Sequence, residues 1–362
     1  MRSRSVVRDR SLASVTLAMA VTLAWTRPAA ADDDAEARHI AAANYPLVFL
    51  AQGDAVVGSD VGAAGDPAAG RSFRLARLRV GEDVSAYLFR LRVVLEARSH
   101  GRDGTSYAPI EGGKLADPMR FTDAYLSYVP SAAFHAEVGS LRVPFSLSRQ
   151  LDEADLPFPE RAPIVQALAP DFRVGARAGG DLGAMSYGVA ILCASPEIDG
   201  RLLDRGAMLA LRIAAEPMGP MGATPWRRTA ADPWYGWFRF ALGVSLLDGS
   251  ITGLHTTAVG ADARAQWRRF VASGEYVLAD SAGPVQQGAV VEPGIAWLDG
   301  RLFTTARGDW RRAGSVNEWG AGAAVTAYAP DPRVRVQLGF ERRISADLAT
   351  GWAIARLTLL LE

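Results

Sequence analysis

The residues with the most chemistry to offer are arginines set two apart. Arg77 and Arg79 form one pair, and Arg90, Arg92 and Arg98 follow within "YLFRLRVVLEAR", Tyr87 to Arg98. Arg142 stands alone, Arg173 and Arg177 are four apart, and Arg333 and Arg335 are again two apart. A guanidinium stays charged and presents a planar fork of donors that fits carboxylate and phosphate oxygens. A row of them on one surface concentrates small anions. Lys114 is the only lysine, so almost all positive charge is of this kind.

Other chemistry finds less support. His39, His100, His135 and His255 are scattered without metal-ligand spacing, so no metal site is expected. "GSDVGAAGDPAAG" (Gly58 to Gly70) is glycine-rich, yet it lacks the G-K-[ST] ending of a phosphate loop and reads as a loop without cofactor. No G-x-S-x-G is present. "DEADLPFPER" clusters Asp152, Glu153, Asp155 and Glu160. A carboxylate pair of the glycosidase kind is one reading of that cluster and a solvated loop the other. Cys193 is the only cysteine, so no disulfide within the chain is available, and it shares an apolar strand face with Tyr187, Val189 and Ile191.

The elements that carry the arginines must be strands. At about 100° per residue a helix would scatter Arg90, Arg92, Glu96 and Arg98 round its surface. A strand gathers them on one side and puts Tyr87, Phe89, Leu91, Val93, Leu95 and Ala97 on the other. The segment exceeds the usual ~5–6 residues of a globular strand and approaches the ~9–11 residues of a strand that crosses a bilayer at a tilt. The same sorting recurs in "RVRVQLGFE", "FRVGARAG" and "WFRFALGVSL". Alternating segments fall at about 45–57, 71–80, 84–98, 119–129, 133–142, 171–179, 184–194, 206–216, 235–247, 252–267, 269–279, 286–298, 300–311, 316–328, 333–343 and 350–361, sixteen in all. Apolar faces end in aromatics, with Trp234, Trp237, Trp267, Trp297, Trp310, Trp319 and Trp352 as the expected interfacial girdle. No segment beyond the N-terminus is apolar for long enough to be a membrane helix.

The connections alternate in length. Short turns are expected at Gly81-Glu82-Asp83, Pro130-Ser131-Ala132, Gly179-Gly180-Asp181, Asp299-Gly300 and Pro330-Asp331-Pro332. Longer links fall at 99–118, 143–170, 195–205, 280–285 and 344–349. Outer-membrane barrels have this asymmetry, tight turns on the periplasmic side and longer loops outside. Residues 217–234, "PMGPMGATPWRRTAADPW", break it: they are long and proline-rich on the side of the tight turns, either a missed strand or an unusual turn. The sequence therefore predicts an all-β fold, a transmembrane antiparallel barrel. An outer face purged of charge fits, because an arginine or lysine at mid-membrane costs ~2–4 kcal/mol there.

The first 31 residues read as a secretory signal peptide. Arg2, Arg4, Arg8 and Arg10 precede an apolar core from Leu12 to Trp25, and Ala29-Ala30-Ala31 forms a small-residue cleavage site. The barrel would then occupy 32–362. The whole chain carries 39 basic and 39 acidic residues. Removing five arginines and one aspartate with the leader leaves it net acidic, which argues against a nucleic-acid partner.

From Phe73 the chain resembles the phosphate-selective porin O and P family. The likeness rests on "FRLARLRVGEDVSAYLFRLRVVLEA" (Phe73 to Ala97) and on "FTDAYLSYVPSAAFHAEVGSLRVPFSLSRQLDEADLPFPER" (Phe121 to Arg161). "LAPDFRVGARAGGDLG" and "GADARAQWRRFVASGEYV" continue it, clearly to Tyr276 and loosely beyond. The resemblance implies a barrel of about sixteen strands, usually a trimer, with an inward-folded third loop, here 143–170, and an arginine-lined constriction for anions. The expected function is passive diffusion of small, phosphate-like anions across the outer membrane of a Gram-negative-type bacterium. Arg77, Arg79, Arg90, Arg92, Arg98, Arg142, Arg173, Arg177, Arg333 and Arg335 are the candidate lining. Two alternatives stay open: a structural barrel plugged by its own loop, and a secreted β-rich enzyme.

Overall fold

The computed structural model describes residues 47–61, 67–97, 120–152, 155–193, 206–222, 225, 236–251, 254–281, 284–329, 334–345 and 349–361. They contain sixteen strands. The first eight are β1 (Leu47–Val61), β2 (Pro67–Ala86), β3 (Phe89–Ala97), β4 (Arg120–Ser131), β5 (Phe134–Arg142), β6 (Phe172–Leu182), β7 (Met185–Cys193) and β8 (Ala207–Ala215). The second eight are β9 (Phe238–Ile251), β10 (Leu254–Trp267), β11 (Phe270–Ser281), β12 (Gln286–Trp297), β13 (Leu302–Ala313), β14 (Val316–Tyr328), β15 (Val334–Ile344) and β16 (Ala349–Leu361). Each strand pairs antiparallel with its sequence neighbours, and β16 returns to pair with β1, so the sheet closes into a barrel. A bilayer favours that closure, because an unpaired backbone N–H or C=O finds no water in hydrocarbon.

Burial follows the two-residue period. On β15, Val336, Leu338 and Phe340 are exposed outward while Arg335, Gln337 and Glu341 are buried inward. On β9, Phe238, Leu242 and Val244 face out, and Arg239, Ala241 and Ser245 face in. Exposed Phe89, Tyr128, Phe134, Trp267 and Trp297 stand at the end of the tight connections, and Trp237 at the same end beside the long link before β9, as an interfacial girdle would. Trp310 and Trp319 pair near the opposite end, with ring centroids 6.0 Å apart.

Four sequence expectations need correction or completion. β6 runs on through Gly179-Gly180-Asp181 to Leu182, and its hairpin turns at Gly183-Ala184. The first hairpin turns at Tyr87-Leu88, with Tyr87 at φ 53°, and not at Gly81-Glu82-Asp83. β2 runs on through those residues and presents Asp83 to Arg92 of β3 across the ladder. Trp352 does not join the girdle: it shares the inward face of β16 with Ile354, Arg356 and Thr358 and lies 5.7 Å from the Arg343 guanidinium. The long link after β8 contains no strand among its described residues. Instead Glu216 to Gly222 and Pro225 lie against the inner ends of β9 and β10. Trp234 and the turn expected at 330–332 lie outside the described residues.

Two short helices, α1 (Leu147–Gln150) and α2 (Pro163–Leu168), interrupt the connection between β5 and β6. Their burial decides where that connection goes.

Candidate functional site

The β5–β6 connection folds against the inner wall. Phe145, Ile164, Val165 and Leu168 are buried in one apolar cluster with inward residues of the strands, among them Leu192, Met208, Leu247, Val277 and Val290. The wall of β7 to β12 is apolar there, so the connection gains burial by packing on it. Glu275 of β11 fixes its start, accepting from Ser146 Oγ at 2.5 Å and from the Ser148 backbone N–H at 2.6 Å. Ser146 sits at φ 69° and its hydroxyl in turn accepts from the Arg149 N–H of α1. A residue other than glycine at that φ is uncommon, and Ser146 is the residue there that bonds Glu275.

Residues 156–160 then run along β13 to β16. Arg307 lies over the Phe158 ring at 4.0 Å. Gln337 Nε2 donates to the Leu156 carbonyl at 3.0 Å. Arg356 donates to the Pro159 carbonyl and pairs with Glu160 at 2.7 Å. Gly339 permits this approach: a Cβ there would meet the Pro159 ring at 2.9 Å. On β2, Arg79 reaches Asp152 of the connection at 3.0 Å. The segment thus lies against the wall on both sides, in the apolar cluster of β7 to β12 and in polar contacts with β13 to β16 and β2.

Of the arginines expected to line the lumen, those whose side chains are described face inward, and each has a partner. Arg79 pairs with Glu96 at 2.5 Å. Arg90 and Arg92 share Asp83, Arg92 at 3.0 Å. Arg142 donates to the Gln150 carbonyl at 2.8 Å and stands 3.6 Å from Asp152. Arg177 pairs with Glu137 across the β5–β6 ladder. Arg173 donates to the Phe172 carbonyl, and Arg335 to that of Leu156. Arg98 and Arg333, and the side chain of Arg77, lie outside the described residues.

Sequence reasoning passed over other inward arginines. Arg212 pairs with Asp262, Arg264 with Glu216, Arg307 with Glu292 and Glu341, Arg343 with Asp309 and Glu341, and Arg356 with Asp54. The two-residue period could have found them: Asp262, Arg264 and Gln266 alternate with alanines in "ADARAQ". Their partners required the strand register.

Exposure varies with place on the wall: Arg79 and Arg335 are as buried as Arg307 and Arg356. Side chains of Arg307 and Arg356, beneath the inward segment, are 2 % and 4 % exposed. Those of Arg90, Arg92 and Arg177 are 44 %, 20 % and 20 % exposed. Solvent therefore reaches Arg90, Arg92 and Arg177 on β3 and β6, and is kept from Arg307 and Arg356 beneath the inward segment.

The family model described as phosphate-selective porin O and P matches residues 52–333. The chain belongs to that family. No match was found among curated proteins. Solved structures resemble it in fold at low identity. An anion-selective porin from Comamonas acidovorans superposes with a TM-score of 0.59 at 10% identity, over 88% of this chain and 100% of its own. Salmonella typhi OmpF, in a complex with daunomycin, gives 0.60 at 10% identity over 88% and 97%. OmpT of Vibrio cholerae, in a trimer form, gives 0.52 at 9% identity over 87% and 99%. Family and fold make the chain an outer-membrane porin, a channel rather than an enzyme.

Proposed function

We propose that this porin passes small anions, phosphate-like ones among them, through a lumen narrowed by residues 143–171. The observation that carries the reading is the exposure of Arg90, Arg92 and Arg177 on the wall that the inward segment leaves in contact with solvent. Arg90 and Arg92 share Asp83, Arg92 also stands 3.8 Å from Asp123, and Arg90 is the most exposed of the three to a passing ion. Arg142 and Arg173 extend the same wall. In a narrow water-filled path with low-dielectric walls, such charge raises the local anion concentration, and rings of arginine are a known means of anion selection. Arg77, Arg98 and Arg333 belong to the proposed lining by their place in the two-residue alternation of the sequence. The same reading places the chain in the outer membrane after loss of residues 1–31, as a homotrimer.

A second reading has its own support. The β5–β6 connection packs its apolar side chains on the inner wall and is bonded to Arg79 and Arg356 on two strands of it, as it would be in a barrel that its loop closes. Single-channel recording in planar bilayers decides between the two. Discrete conductance steps are expected from the purified protein. A folded protein that inserts and gives none would replace the pore with the plugged barrel.

A further inference from the structure

The link after β8 is the one place where the side of tight turns carries a long segment, and its described residues turn back into the barrel. Three inward side chains at the ends of β9 and β10 hold its backbone. Arg239, fully buried, donates to the Pro220 carbonyl at 2.9 Å. Arg264 donates to the Gly222 carbonyl at 2.7 Å and pairs with Glu216 at 3.1 Å. Gln266 donates to the Pro225 carbonyl at 3.0 Å and accepts from Arg239 at 2.5 Å. Glu216 also accepts from the Met221 N–H at 2.8 Å, and the Met221 side chain is 0 % exposed. Arg264 stands three residues from the end of β10, and its bonds to Gly222 and Glu216 hold the segment on the inner side of that end. Placing it there covers two cations that would otherwise face the mouth.

We propose that Glu216 to Gly222 and Pro225 form a second narrowing of the lumen, at the end opposite the β5–β6 entrance, and that Arg239 and Arg264 are its positioning residues. This rests on the reading of the chain as a conducting pore. The arrangement suits no purely structural turn, since β2 to β3, β4 to β5 and β6 to β7 are joined by two residues each. Buried guanidiniums bonded to backbone carbonyls hold a segment firmly, because removing the acceptor leaves a buried charge unpaired. Ions leaving by this mouth pass the segment in series with residues 143–171.

The test compares wild type with the Arg239→Ala/Arg264→Ala double variant by single-channel conductance, with barrel folding checked by heat-modifiable gel migration. Narrowings in series add their resistances, so freeing this one is expected to raise conductance, up to about twofold if the two contribute equally. Arg264→Lys with Arg239 intact is expected to return conductance toward wild type. A second measurement does not depend on those variants: Met221→Cys in a Cys193→Ser background is expected to resist a water-soluble thiol reagent, and to react once Arg239 and Arg264 are also replaced. A conducting wild type with unchanged conductance in the double variant, or rapid labelling of Met221→Cys alone, overturns the second narrowing and leaves the pore reading standing. A silent wild type opened by the double variant overturns the open pore and upholds the narrowing. Silence in both overturns both.

Discussion

Arg356 of the last strand clasps Asp54 of the first through both carboxylate oxygens, at 2.7 and 2.8 Å. The two residues sit opposite each other in the β1–β16 ladder, 302 positions apart in sequence. The same guanidinium also holds Glu160 and the Pro159 carbonyl. One side chain therefore ties the seam of the barrel to its inward segment. Asp54→Ala leaves Arg356 buried with part of its pairing gone, and breaking such a pair costs roughly 3–5 kcal/mol. A lower urea midpoint for the folded barrel is expected. Asp54→Asn, which keeps an acceptor, is expected to lose less.

The assigned faces make a sharp contrast between neighbours in sequence. Leu91 is exposed on the exterior of β3, and Arg92 faces inward on Asp83. Leu91→Arg puts a charge against lipid at a cost of ~2–4 kcal/mol and is expected to block assembly into membranes. Arg92→Leu leaves Asp83 its bonds to Arg90, so a folded barrel is expected. Migration on unheated gels reads both, and equal tolerance of the two would refute the faces.

Glu275 is the anchor of the inward segment. Glu275→Ala removes the acceptor of Ser146 and Ser148 and is expected to give noisier, larger single-channel currents from a barrel that still folds. Glu275→Gln keeps one acceptor and is expected to fall between. Quiet wild-type currents from Glu275→Ala would mean that apolar packing alone fixes the segment.

Orientation follows from the connections. An epitope inserted at Tyr107, beyond the described residues, is expected to bind antibody on intact cells, and one inserted at Gly183-Ala184, a two-residue turn, only after the outer membrane is permeabilised. The reverse pattern would invert the barrel.

Strand count, closure and the inward arginines were legible because a bilayer imposes one strict rule, apolar outward at every second residue. Asp83 misled the first turn. Aspartate beside glycine and glutamate reads as a turn, yet its carboxylate belongs on the inner face, where Arg90 and Arg92 meet it. Trp352 was assigned to the girdle by residue type alone, and strand parity puts it inside with Arg343. The pairing of Arg79 with Glu96 was illegible for another reason: it depends on register across a hairpin, which one-strand alternation does not fix. The contacts of Arg307 and Arg356 with residues 158–160 depend on the path of a loop across the barrel, and no periodicity encodes that.

The most direct test of the central claim is the reversal potential under a salt gradient, wild type against Arg90→Gln/Arg92→Gln. The wild type is expected to prefer anions even though the chain without its leader is net acidic. The double variant is expected to lower the anion-to-cation permeability ratio, most at low salt, where the screening length is longest. A cation-preferring wild type, or a ratio that the double variant leaves unmoved, would mean that Asp83 and its neighbours cancel these arginines and that they do not select the ions that pass.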